Sequence, residues 1–225
     1  MNTLINFVKL DFRTARPGFN ITIIGVHVGV MALLFMFFRD MTGVVFLTML
    51  YLDSYVAMPF SIGEHANTDS LYTVLNINRK TVVRGRYMYM ATIILGVSLL
   101  VLAFIGVGWI AEGLFDIRLN TMFALRVFII LFLLSVFMQA LLFPFYYKFT
   151  IIKSGGISTI PFMFIMVGGY FLLMARPEII NFVVDIMASP LYSGIAVAIA
   201  VVVLAIIVYI SYRLSLRFYL KREFT

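Results

Sequence analysis

Six long apolar runs mark the chain, at Phe19–Phe38, Gly43–Ile62, Met88–Ala111, Met122–Tyr147, Ile157–Ala175 and Leu191–Tyr212. A helix needs about 20 apolar residues to cross the hydrocarbon of a bilayer. The runs are continuous and do not alternate, so they predict helices, which pair their own backbone groups, and not the strands of a barrel. The pattern predicts an all-α polytopic membrane protein, one domain over residues 1–225, with six transmembrane helices. The first two are joined by the tight turn Arg39-Asp40-Met41-Thr42.

Three segments between the runs have structure of their own. In residues 1–16, Ile5, Val8 and Phe12 recur at helical spacing opposite Asn2, Asn6, Lys9 and Arg13. That predicts an N-terminal helix lying in the membrane interface, turning into the first span at Pro17-Gly18. No small-residue cleavage site follows a short apolar core, so no cleavable signal is expected. In the loop 63–87, Leu71, Val74 and Leu75 sit at i, i+3 and i+4, behind Thr68, Asp69 and Ser70 as possible caps. The sequence predicts a short helix there, ended by Asn76-Ile77-Asn78-Arg79-Lys80. Its small apolar face either docks a soluble partner or belongs to a solvated loop. In residues 176–190, Pro177 and Glu178 suit a helix start. The apolar residues that follow predict a re-entrant or interfacial outer helix, too short to span.

Charge gives the spans a direction. Of 17 basic residues, 13 fall before the first span, between spans two and three, between four and five, and after span six. Only Arg39, Arg118, Arg126 and Arg176 fall on the other side. The positive-inside rule makes the richer side cytoplasmic and places both termini in the cytoplasm, on the inner side of the cytoplasmic membrane. Composition agrees: 63% hydrophobic, 12% charged, mean hydropathy +1.07. A net charge of +7 would suggest nucleic acid in a soluble protein; here its distribution serves topology, and no nucleic-acid partner is expected.

The chemistry of the chain is sparse. It has no cysteine, hence no disulfide, thiolate metal site or cysteine nucleophile. No G-x-x-x-x-G-K-[ST] sequence is present, so the chain has no phosphate-cradling loop; Gly155-Gly156 is not followed by Lys-Ser/Thr. His27 and His65 stand apart, and Glu64-His65 lacks further metal ligands. No catalytic, cofactor or metal site is expected. Asp53 is the one acid inside a span, where a charge costs about 2.5–3.5 kcal/mol on the insertion scale. It either lines a substrate route or makes an interhelical hydrogen bond. Gln139 marks another buried hydrogen bond, and Pro144 a kink. Gly25-x-x-x-Gly29 allows close helix packing, within one subunit or between two.

The order of these parts, and the stretch from Glu64 through Leu71-Tyr72-Thr73-Val74-Leu75-Asn76-Ile77-Asn78-Arg79-Lys80 to Tyr87, resembles the permease subunits of ABC-2-type ATP-binding-cassette exporters. That family shows an acidic residue followed by L-x-x-L-P-[IV]-x-R-x-x-[IV]-x-x-[KR]-[YF]. Here Asn76 stands where proline is usual, and Arg86 where lysine is usual. Within the family the chain is similar to small permeases of Gram-positive bacteria that serve phenol-soluble-modulin export or antimicrobial-peptide export and immunity. The resemblance implies a separate ATPase subunit holding ATP and Mg2+. It implies a coupling helix around Leu71, Val74 and Leu75, bracketed by Glu64 and Arg79. It also implies a second permease, identical or different, meeting this one near Gly25 and Gly29. Asp53 and Gln139 are the candidate polar lining of a route for amphipathic peptides or lipids. The rival expectations are a non-ABC channel or substrate-binding membrane component, and a membrane hydrolase.

Overall fold

The computed structural model describes residues 3–15, 41–66, 68–74, 77–115, 119–149 and 190–221, with scattered positions between 25 and 35 and between 164 and 178. Among them every regular element is a helix: α1 (Thr3–Ala15), α2 (Met41–His65), α3 (Thr68–Val74), α4 (Arg79–Phe115), α5 (Thr121–Lys148) and α6 (Pro190–Lys221). Among the described residues four stretches are long and apolar enough to cross a membrane: Met41–His65, Arg79–Phe115, Thr121–Lys148 and Ala198–Lys221. They match the second, third, fourth and sixth apolar runs. The first run, the fifth run and the outer helix of 176–190 lie mostly outside the described residues.

The predicted loop 63–87 is largely helical. Its short helix is α3, and the third span begins at Arg79, nine residues before its apolar run. The cause is local. Asn78 Oδ1 accepts from the Lys80 N–H at 2.9 Å, a side-chain cap on the first turn of α4. At 37 residues, α4 is about 56 Å long, well beyond the hydrocarbon thickness. Its first turns therefore project past the bilayer at one end of the bundle. The ends of α2, α5 and α6 meet there, with α1 and α3. This is the basic end of the molecule.

At the opposite end α4 turns into α5 through Asn120, whose φ of 52° is left-handed, a conformation asparagine tolerates better than most residues. Asn120 supplies no side-chain cap. Glu112 of α4 does so instead: its carboxylate accepts from the Leu119 N–H at 2.7 Å and from the Thr121 hydroxyl. A carboxylate at a helix N-terminus also complements the dipole. A Cβ on Gly108 would overlap the Met41 side chain, so α4 and α2 touch here because the position is glycine.

Among the described spanning helices two contain a proline inside, Pro59 in α2 and Pro144 in α5. Each removes the N–H that would serve the carbonyl four residues earlier, Tyr55 and Ala140 respectively. In lipid such a carbonyl needs another donor. Both find one on a different helix. The Tyr89 hydroxyl of α4 donates to the Tyr55 carbonyl at 3.1 Å. The Ser211 hydroxyl of α6 donates to the Ala140 carbonyl. The prolines thus create acceptors that fix helix pairing. The expected result of Tyr89→Phe is a loss of about 1 kcal/mol in the wild-type background, within the range of interhelical hydrogen bonds in membranes. In a Pro59→Ala background, where the backbone N–H returns, the loss should nearly vanish. Additive losses in a double-mutant cycle of detergent unfolding would refute the pairing.

Candidate functional site: a docking helix and its seat

α3 is seven residues long and presents two faces. Leu71 and Val74 are 51% and 82% exposed, while Tyr72 is 5% exposed. Such exposure of aliphatic side chains on so short a helix requires that another part hold it in place. Three contacts do. Thr68 Oγ1 donates to the Gly63 carbonyl at 3.3 Å, linking α3 to the last turns of α2. The Ile77 N–H donates to the Tyr72 carbonyl at 2.9 Å, closing the helix end. The Tyr72 ring meets the Phe7 ring of α1 edge-on, with centroids 5.3 Å apart.

Phe7 in turn rests on α4. A Cβ on Gly85 would overlap Cδ1 of the Phe7 ring, so the ring edge seats on bare backbone. The next residue, Arg86, is 4% exposed. Its guanidinium lies 4.4 Å from the centre of the Phe60 ring of α2 and 5.9 Å from that of Tyr147 of α5. Cation–π attraction offsets part of the cost of burying this charge. Gly63 closes over it, since a Cβ there would come within 3.1 Å of Arg86 Nη2. The Tyr147 ring continues to Tyr219 of α6, with centroids 5.2 Å apart. One arginine therefore joins α2, α4 and α5, with α6 one ring away.

α1 adds an acid to this core. Its buried stripe is Phe7, Asp11 and Ala15. It lies roughly a quarter turn, at 3.6 residues per turn, from the apolar stripe of Ile5, Val8 and Phe12. Phe12 packs on Tyr89 with centroids 4.7 Å apart; Val8 is half-buried and Ile5 is exposed. Hydrophobic spacing alone does not place an aspartate inward. Arg86 is the reason it is tolerated. Burial nonetheless outweighs the attraction of Arg86 and pushes the Asp11 carboxyl up from 3.8 to about 6. Among the described residues Asp11 Oδ2 has no hydrogen-bond partner. The folded state thus holds the proton more tightly than the unfolded chain. Its stabilising effect is complete below about pH 4 and is lost as pH rises through about 6, a difference of roughly 3 kcal/mol. Asp11→Asn should raise the thermal stability of the purified protein at pH 7.5 and leave it nearly unchanged at pH 4. A variant no more stable than wild type at pH 7.5 would exclude this assignment.

The remaining sequence-predicted residues fall as follows. Glu64 is half-buried in the last turn of α2. Arg79 opens α4, and its guanidinium donates to the Leu220 carbonyl at 3.0 Å, holding the C-terminal turn of α6. Tyr87 shares hydrogen bonds with Ser211 at 2.6 Å and Ser215 at 2.9 Å, and Arg84 donates to the Tyr212 hydroxyl at 3.1 Å. The first turns of α4 are therefore clamped to α6. Gln139 is fully enclosed in α5. Asp53 lies on α2, with its side chain outside the described set, and Leu75 is outside it altogether. Gly25 and Gly29 are helical, and among the described residues nothing lies within 4 Å of a Cβ built on either. Among the described residues no group of three His, Asp or Glu could hold a metal ion.

Sequence reading missed Phe7, Tyr72 and Gly85 as a unit, and noted Arg86 only as a substitution for lysine. Two signals were present: an aspartate between apolar residues in α1, and a glycine inside the helical run Val82–Tyr87. Neither names its partner.

These features define a polytopic helical membrane protein with a small exposed helix held at the basic end of its bundle. The family model described as ABC-2 family transporter protein matches residues 6–220. The chain belongs to this family of transporters, as an integral membrane component, and membership implies an ATPase partner. No curated protein and no solved structure is significantly similar to it.

Proposed function

We propose that the chain is the permease subunit of an ABC-2-type exporter, driven by a separate ATPase that docks on α3. The observation that carries this reading is the pair Leu71 and Val74, exposed on a helix whose opposite side is pinned through Tyr72 to Phe7. An unpinned helix would yield to a moving partner. A pinned one passes the movement on, through Phe7 to Gly85 and the projecting turns of α4, which Arg79, Arg84 and Tyr87 clamp to α6. ATP and Mg2+ belong to the ATPase. Closure of the ATPase pair would displace α3 and bias the bundle between two arrangements.

The basic end faces the cytoplasm on this reading, with α1 in the interface of that leaflet of the bacterial membrane and both termini in the cytoplasm. The described helices support six passes. α1 lies at the basic end, and α2 starts at the other. α5 ends at the basic end, and α6, about 48 Å long, also ends there. A second permease, identical or different, completes the route, and contact near Gly25 and Gly29 suits the absence of any described residue within 4 Å of a Cβ on either. The proposed cargo is an amphipathic peptide of the phenol-soluble-modulin or antimicrobial kind, or a lipid, with Asp53 and Gln139 as polar positions along the route.

Purification in mild detergent followed by identification of bound proteins tests this. An ATP-binding-cassette ATPase should copurify in stoichiometric amount, and ATP-dependent peptide movement should appear in vesicles holding both. Recovery of the intact bundle with no ATPase under any nucleotide condition would refute it.

A further inference from the structure

Beside the clamp between α4 and α6 lies a cleft of about 490 Å³, lined by Lys80, Arg213, Leu214, Leu216, Arg217 and Leu220. We propose that it binds the phosphate-bearing headgroup of an anionic phospholipid from the leaflet at the basic end.

The lining divides into two chemistries. Lys80, Arg213 and Arg217 supply three cations, and among the described residues no acidic side chain lines the cleft. Leu214 and Leu220 are exposed aliphatics beside them. A soluble anion would use the cations and leave the leucines wet. A phospholipid uses both, with phosphate against the charges and glycerol and upper acyl carbons against the leucines.

Depth fits the same ligand. The last apolar run ends at Tyr212, and Arg213 follows at once. Arg217 is one turn further, about 6 Å along the axis. These side chains sit where headgroups begin, and Lys80 reaches the cleft from the projecting part of α4.

The walls are also fixed in advance. Arg79 is engaged with the Leu220 carbonyl and Arg84 with the Tyr212 hydroxyl. Those two arginines hold α4 to α6. The head groups of Lys80, Arg213 and Arg217 make no ion pair among the described residues. The site stands apart from the docking helix, because α3 packs on α1 and α2 while α4 and α6 build the cleft. Its occupant bridges two spans, so it ties the lipid composition of the membrane to the rigidity of the helix pair that transmits motion.

The test uses the full chain purified in detergent and titrated with dioleoylphosphatidylglycerol, read by thermal unfolding and by native mass spectrometry. Saturable stabilisation with one retained lipid per chain is expected, and dioleoylphosphatidylcholine should give none. Lys80→Gln, Arg213→Gln and Arg217→Gln should each weaken binding about five-fold, and the triple variant should abolish it. Arg126→Gln, which removes a charge from the start of α5 at the other end, should change nothing, and the charge-conserving Arg213→Lys with Arg217→Lys should keep binding. The proposal is overturned if phosphatidylcholine stabilises equally, or if inorganic phosphate alone gives the full effect. It is equally overturned if the triple variant still retains phosphatidylglycerol and instead loses only the copurifying ATPase.

Discussion

Leu71→Asp and Val74→Asp are each expected to abolish copurification of the ATPase while the chain still inserts, folds and resists unfolding as the wild type does. Both side chains point away from the bundle, so neither change opens a cavity in it. Burying an aliphatic side chain in a partner's groove is worth about 1.5–3 kcal/mol. Replacing it with a carboxylate adds the cost of an unpaired charge in an apolar contact. Together these exceed a hundred-fold in affinity. Tyr72 separates docking from folding, because it faces inward on the same helix; Tyr72→Ala should lower stability and leave the ATPase bound. ATPase recovery at wild-type level from either aspartate variant would remove α3 from the docking surface.

The second large effect is expected at Phe7. Its ring fills the space between Tyr72 and the bare backbone of Gly85. Phe→Ala changes in packed sites cost about 3–5 kcal/mol. Here the loss should show as uncoupling: Phe7→Ala should leave ATPase bound, since Leu71 and Val74 are untouched, but transport per ATP hydrolysed should collapse. Instability of the truncation is controlled from the other side. Gly85→Ala keeps Phe7 and places a methyl group in its seat, so it should give the same uncoupling with the ring intact. Transport coupled to hydrolysis as in the wild type, in both variants, would show that the α3–α1–α4 contact transmits nothing.

Much of this site is legible residue by residue. The helix at Thr68–Val74 follows from caps, spacing and the break beyond it, which are all local. Its apolar face of Leu71, Val74 and Leu75 follows from their spacing, and the structure shows Leu71 and Val74 exposed. What holds the helix is not legible. Phe7 and Gly85 are 78 positions apart, and nothing near either calls for the other. The reach of α4 back to Arg79 is an intermediate case. The apolar run starts at Met88, but helix does not end where hydrophobicity does, and the Asn78 cap sets its start.

The chain alone determined that its solvent is lipid, where its apolar runs lie, and that positive charge gathers at one end. Span length, composition and the cost of charge in hydrocarbon are properties of contiguous residues, so they can be read without knowing what lies opposite. Only the tertiary structure decided which face of α1 is buried, that Asp11 shares a core with Arg86, and that Phe60 and Tyr147 stack about that arginine. Only it paired the carbonyls freed by Pro59 and Pro144 with Tyr89 and Ser211. The physical reason is the same in each case. A proline or a buried charge announces an unmet need, but the donor, ring or counter-charge that meets it comes from another helix, and helix packing alone selects it.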